Sequence, residues 1–159
     1  IYHQDSNSSN GPVNGGRPIK DIMTPSPYTI SASETVRKAK LFMVKHSIRH
    51  LPVVSKGKLV GILTDRDIKL LQAVSKDENF DDKHCVGGLC LHDVYIVPGS
   101  TRADKVLAYM ATKRIGSALI TGNQKLIGIF TVTDVCRSFS EYLCSESGVA
   151  DTDEDSLAI

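Results

Sequence analysis

Between Tyr28 and Ile68 the chain changes hydrophobic period three times. A short extended run, Tyr28-Thr29-Ile30, precedes Val36, Ala39, Phe42 and Met43, which recur at helical spacing and predict an amphipathic helix. Ser31 with Glu34 three residues on predicts a capping box at its start. Two β-rich runs follow, Leu51–Val54 and Leu59–Leu63, joined by a turn at Lys56-Gly57. A second helix is predicted from about Asp67 to Val74. The order is β-α-β-β-α.

The same order returns 67 residues later. Tyr28–Ile68 aligns with Tyr95–Val135 without a gap, and 11 of the 41 pairs are identical, among them Tyr28/Tyr95, Met43/Met110, Gly61/Gly128, Thr64/Thr131 and Asp67/Asp134. In the second copy the helical stripe is Ala103, Val106, Tyr109 and Met110, the strands are Ala118–Thr121 and Leu126–Phe130 about a turn at Gly122-Asn123, and the last helix runs to about Leu143. So many matches in register mark a duplication. A unit this small exposes an apolar sheet face, and two copies packed through their sheets bury it, which predicts an α/β (α+β) fold with pseudo-two-fold symmetry. The expected layout is a flexible lead-in (1–17), a first repeat (18–75) opened by a short helix at Pro18–Met23, a polar linker (76–88), a second repeat (89–144) and a solvated acidic tail (145–159).

Composition narrows the function. The 159 residues carry a net charge of +1, which supplies no basic footprint for nucleic acid. No apolar run approaches the roughly 20 residues needed to span a bilayer. Four cysteines, unevenly placed, point to free thiols in a cytoplasmic protein rather than a secreted disulfide scaffold. The chain opens on Ile1 rather than Met, which suits a piece of a longer polypeptide. Gly-x-Ser-x-Gly, Walker, His-Glu-x-x-His and Rossmann patterns do not occur, so no catalytic constellation is expected. His84, Cys85, Cys90 and His92 are possible zinc ligands, but their spacing matches no established finger, and loop thiols and histidines without metal are expected. Cys136, inside the last helix, is expected in the core.

The strongest local motif occurs twice, Gly61-Ile62-Leu63-Thr64-Asp65-Arg66-Asp67 and Gly128-Ile129-Phe130-Thr131-Val132-Thr133-Asp134. A strand ends in Thr-x-x-Asp where a helix begins. One reading is a helix cap, the threonine accepting an amide and the aspartate reaching back. The other is a nucleotide site, since a helix N-terminus favours phosphate and a carboxylate accepts from ribose hydroxyls. The two are compatible.

The duplicated unit, with Asp21-Ile22-Met23-Thr24, Ile48-Arg49-His50-Leu51-Pro52-Val53-Val54 and the closing Gly-Ile-x-Thr-x-x-Asp, resembles the CBS domains that occur in pairs as Bateman modules. The resemblance covers about residues 18–144. It implies a non-catalytic regulatory module with two clefts between the repeats for an adenosine ligand (AMP, ADP, ATP or S-adenosylmethionine) as regulatory ligand, with no cofactor or metal. Carried over, Asp67 and Asp134 would hold ribose hydroxyls and Thr64 and Thr131 would sit near the first phosphate. The backbones of Thr29-Ile30 and Ile96-Val97, with Ile48–Pro52 and the segment Ile115, Gly116, Ser117, Ala118 and Leu119, would line the adenine pocket. Arg49, His50 and Arg66 gather cationic groups at the first motif, whereas the second has Gly116, Ser117 and Thr133, so a polyphosphate is expected at the first and a weaker or empty site at the second. A solvated basic edge explains the same three residues. The family implies a homodimer and an unidentified effector protein. The alternatives are a ligand-free dimerisation scaffold and a regulatory fragment of an enzyme, channel or transporter.

Overall fold

A computed structural model describes residues 16–75 and 77–147; the expected lead-in up to residue 15, Lys76 of the expected linker and the tail from 148 lie outside the described residues. The elements are β1 (Thr24–Pro25), β2 (Ile30–Ser31), α1 (Val36–Lys45), β3 (His50–Ser55), β4 (Lys58–Thr64), α2 (Asp65–Ser75), α3 (Phe80–Lys83), β5 (Ile96–Pro98), α4 (Ala103–Lys113), β6 (Ser117–Gly122), β7 (Lys125–Thr131) and α5 (Val132–Ser147). Single 3-10 turns occur at Ile19–Asp21 and Val86–Gly88. The duplicated β-α-β-β-α units form a mixed α/β fold with two sheets.

Helices α1 and α4 bury three residues of each predicted stripe, while Phe42 and Tyr109 are only partly buried. Val36, Ala39 and Met43 of α1, and Ala103, Val106 and Met110 of α4, are all buried. The cap of α1 differs from expectation: Thr35 is the N-cap and its Oγ1 accepts from the Lys38 amide at 3.3 Å, while Ser31 makes a local turn with Ser33. Thr35 wins because it alone stands three residues before a free first-turn amide. The hairpin turns place φ above zero at Lys56 and Gly57 and at Asn123 and Gln124, the pattern of a two-residue type I′ turn. The second turn is therefore one residue later than expected, with Gly122 closing β6.

One sheet has the order β2-β3-β4 and the other β1-β7-β6-β5. The parallel pairs β2·β3 and β5·β6 and the antiparallel hairpins β3·β4 and β6·β7 repeat each other. Their facing surfaces meet in a shared cluster of Ile62, Val94, Leu119 and Ile129, flanked by Leu59, Ile96 and Leu126. Each repeat also has its own core.

The lead segments cross over. Ile19 is fully buried in the core of the second repeat, and β1 pairs with β7 (Thr24↔Ile129). Conversely Phe80, Val86 and Cys90 are buried in the first core, and Leu91 bridges Ile62 of β4. The 67-residue offset holds throughout: the Ile19 amide donates to the Thr101 carbonyl as the Val86 amide donates to that of Glu34, and the bridges Pro18↔Arg102 and Thr35↔Cys85 are counterparts. Residues 18–25, expected in the first repeat, thus complete the second, and residues 80–91, expected as the end of the polar linker (to 88) and the start of the second repeat, complete the first. A run of three or four residues with one large apolar side chain carries too little periodicity to show this in sequence.

Candidate functional site

The sheets leave a cleft of about 840 Å³ where β3 and β6 begin and β4 and β7 end. The register brings His50 opposite Thr64 and Ser117 opposite Thr131. The helix starts are tied to the strand entries, the Asp65 amide donating to the Arg49 carbonyl and the Val132 amide to that of Gly116, both at 3.1 Å. These bonds hold the Thr-x-x-Asp turns against the segments 49–50 and 116–117 in each repeat.

From the first repeat the cleft is lined by Arg49, His50, Thr64, Arg66 and Asp67. The second contributes Ile115, Gly116 and Ser117. These eight predicted residues come together across the repeat boundary. A Cβ placed on Gly116 would lie 4.0 Å from His50 Nε2, so the bare backbone of the second repeat faces the imidazole of the first. Burial holds the His50 imidazole below its ordinary value, with Asp67 pulling it up and Arg49 pushing it further down.

Three guanidinium groups, of Arg49, Arg66 and Arg114, line the cleft without an ion pair among the described residues, whereas Lys69 is engaged by Asp65 at 2.6 Å. Arg114 was not anticipated. It is the left-handed C-cap of α4 at φ 55°, and its counterpart 67 residues earlier is Ser47, also left-handed at φ 52°. The alignment of Arg114 with a serine was the available signal, but only the cap geometry places it at the mouth of the cleft. Tyr95 was also missed; it lines the cleft and stacks on Tyr109 with ring centroids 4.2 Å apart.

Other predicted residues lie elsewhere. The side chains of Ile30, Leu51, Val97 and Ala118 are buried in the repeat cores, Ile48 packs against the first core, and Pro52 is fully buried opposite Ile62, on the other face of β3 from Leu51, so none of these side chains lines the cleft. Alternation sends neighbours on a strand to opposite faces, and both faces of these sheets are covered, one by helices and one by the other sheet. Thr29 and Ile96 line a different cleft of about 1200 Å³ between the two hairpin turns, at the opposite ends of the strands.

The two motifs are not equivalent. At the first, Thr64 Oγ1 accepts from the Asp67 amide at 3.1 Å and donates to its carboxylate. At the second, the carboxylate of Asp134 accepts from both the amide and the hydroxyl of Thr131, each at 2.8 Å. Both are therefore helix caps. Asp134 is 2% exposed, and neither it nor Thr131 forms part of the cleft wall.

Among the described residues no three of His, Cys, Asp and Glu lie close enough to share a metal ion. His84 Nδ1 is engaged by the Phe80 carbonyl and His92 Nδ1 by that of Val60. Cys136 is exposed rather than in the core, because α5 turns its other face to the sheet.

Two sequential β-α-β-β-α repeats, joined sheet to sheet, each completed by the other's lead segment and enclosing a cleft lined by three arginines, define a paired-repeat class. The CBS domain profile matches twice, at residues 19–73 and 86–141, and the chain belongs to that family as a tandem pair. The matches begin at Ile19 and Val86, the two crossing turns. YlbB of Bacillus subtilis is 31% identical over 137 residues, covering 85% of this chain and 89% of that protein. The L-aspartate semialdehyde sulfurtransferase of Methanocaldococcus jannaschii is 29% identical over 123 residues, which span 76% of this chain and 23% of the enzyme. The chain thus matches under a quarter of that enzyme's length. The CBS domain pair of protein MJ0100, solved in complex with 5′-methylthioadenosine and S-adenosyl-L-methionine, superposes with a TM-score of 0.70 at 27% identity, over 80% of this chain and 99% of that one. No helix of the described residues is long and apolar enough to cross a membrane.

Proposed function

We propose that the chain is a non-catalytic regulatory module that binds an adenosine nucleotide in the cleft between its repeats. The observation that carries this reading is the meeting of Asp67, a partly buried acceptor with a free carboxylate oxygen, with Arg49, Arg66, Arg114 and His50 around one cavity. The carboxylate suits a ribose diol, and unpaired guanidinium groups suit phosphates. The adenosyl ligands of the MJ0100 pair support the same ligand class. The free cysteines, among them buried Cys90, suit a reducing compartment such as the cytoplasm.

Occupancy would alter how the repeats sit against each other, by as much as the ligand's affinities for the two arrangements differ. Leu41, Val44, Leu70, Val74, Phe139 and Tyr142 are exposed on helices, and pairing of two copies through such helix faces would carry that change to an effector protein. Sedimentation equilibrium with and without ligand tests the pairing.

Calorimetric titration with AMP, ATP, S-adenosylmethionine and 5′-methylthioadenosine tests the site. Asp67→Ala should weaken every adenosyl ligand roughly 10–100-fold, the worth of hydrogen bonds to a charged acceptor. Arg66→Ala should weaken ATP while leaving uncharged 5′-methylthioadenosine unchanged. A folded chain silent toward all four would sink the nucleotide reading.

A further inference from the structure

The second Thr-x-x-Asp motif has been turned to a different use. The Oδ2 atom of Asp134 accepts from the amide and hydroxyl of Thr131. Its Oδ1 accepts from Thr24 Oγ1 at 2.7 Å and from an Arg137 guanidinium nitrogen at 3.2 Å. A carboxylate offers about four lone-pair sites, and four donors fill them. At the first motif the donors corresponding to Thr24 and Arg137 are replaced, at the 67-residue offset, by Leu91 and Leu70, neither of which can donate from its side chain. Asp67 consequently accepts only from Thr64 among the described residues, at Oδ2 alone, and it is half-exposed where Asp134 is buried.

We infer that Asp134 is a clasp rather than a ribose acceptor: it holds the crossing strand β1 to α5 through Thr24, and Thr24 is the residue that closes the second half of the cleft to nucleotide. A ribose diol reaching Asp134 would have to displace a hydroxyl that is already bound, inside a buried pocket, with no gain in hydrogen bonds. The module then takes one nucleotide per chain, at the first motif. The stoichiometry rests on the nucleotide reading; the clasp does not.

The two are tested separately on the full chain. Thermal unfolding of Thr24→Val, Asp134→Asn and the double variant measures the clasp. Each single change should lower the midpoint by roughly 3–10 °C, and the double variant should fall no further than the worse single one. Thr24→Ser keeps the hydroxyl and should restore most of the midpoint. Additive losses, or no loss for Thr24→Val, would overturn the clasp. Titration with AMP should give one site per chain in the wild type and in Thr24→Ser, and that site should weaken at least roughly tenfold in Asp67→Asn. Two sites in the wild type, or binding lost in Asp134→Asn while its midpoint is unchanged, would overturn the assignment. Absence of AMP binding in every protein counts against the nucleotide reading, and the unfolding cycle still decides the clasp.

Discussion

At the residue scale, His50 is the titrating group that reports on the cleft. Its folded pKa lies below the ordinary value of about 6.5, chiefly through burial. Between the lowered folded value and about 6.5 the unfolded chain binds more protons than the folded one, so stability rises with pH there. The contribution of neutral His50 is complete above about pH 6.5 and is lost as pH falls through that window. Urea midpoints of wild type and His50→Gln between pH 5 and 8 should therefore diverge on the acid side, the wild type losing more. Bound phosphate acts in the opposite sense, favouring the imidazolium, so ATP binding should take up a proton and tighten from pH 7.5 to 6. Binding of 5′-methylthioadenosine should show no such trend. Titrations in two buffers of different ionisation enthalpy measure the uptake directly.

At the scale of elements, the glycine opening each closing motif has a packing role. A Cβ on Gly61 would meet the Leu91 carbonyl oxygen at 2.5 Å and Cys90 Sγ at 2.8 Å, because the second lead segment lies directly on β4. On Gly128 the obstruction is the Met23 side chain of the first lead segment. Backbone cannot yield without breaking the bonds between Leu91 and Ile62, whereas a thioether can turn aside. Gly61→Ala should cost about 1–3 kcal/mol, the range for overpacking, and Gly128→Ala less, as read from denaturant unfolding. Equal costs would mean that Met23 is held as firmly as backbone. The same elements explain why the motif was legible but its logic was not. Glycine and threonine recur visibly at the 67-residue offset, yet what lies over the glycine is set by a segment distant in sequence.

Over the whole molecule, the crossing turns make each repeat depend on residues outside it. Ile19 fills the second core and Val86 the first, both fully buried. Ile19→Ala should cost about 2–5 kcal/mol, and amide exchange should rise first in the second repeat, around β6 and β7, rather than in the first. Val86→Ala should do the reverse. A chain cut after Ser75 would lack Phe80, Val86 and Cys90 from its core and expose the Ile62 face of its sheet; it should show no cooperative unfolding by circular dichroism.

What the chain determined by itself was local and repetitive: two β-α-β-β-α units, their apolar stripes, their hairpins, and two Thr-x-x-Asp caps. Periodicity and capping act within about four residues, so they are written where they act. Tertiary structure alone decided the rest. It sent Leu51 and Ala118 into the repeat cores while leaving Arg49, His50 and Gly116 at the cleft. It brought Arg114 to the same mouth through a left-handed cap. It also separated two motifs identical at threonine and aspartate, because the donor that saturates Asp134 comes from Thr24, 110 residues away, and the equivalent position opposite Asp67 is a leucine. A carboxylate's free lone pairs are counted only after the chain has folded around it.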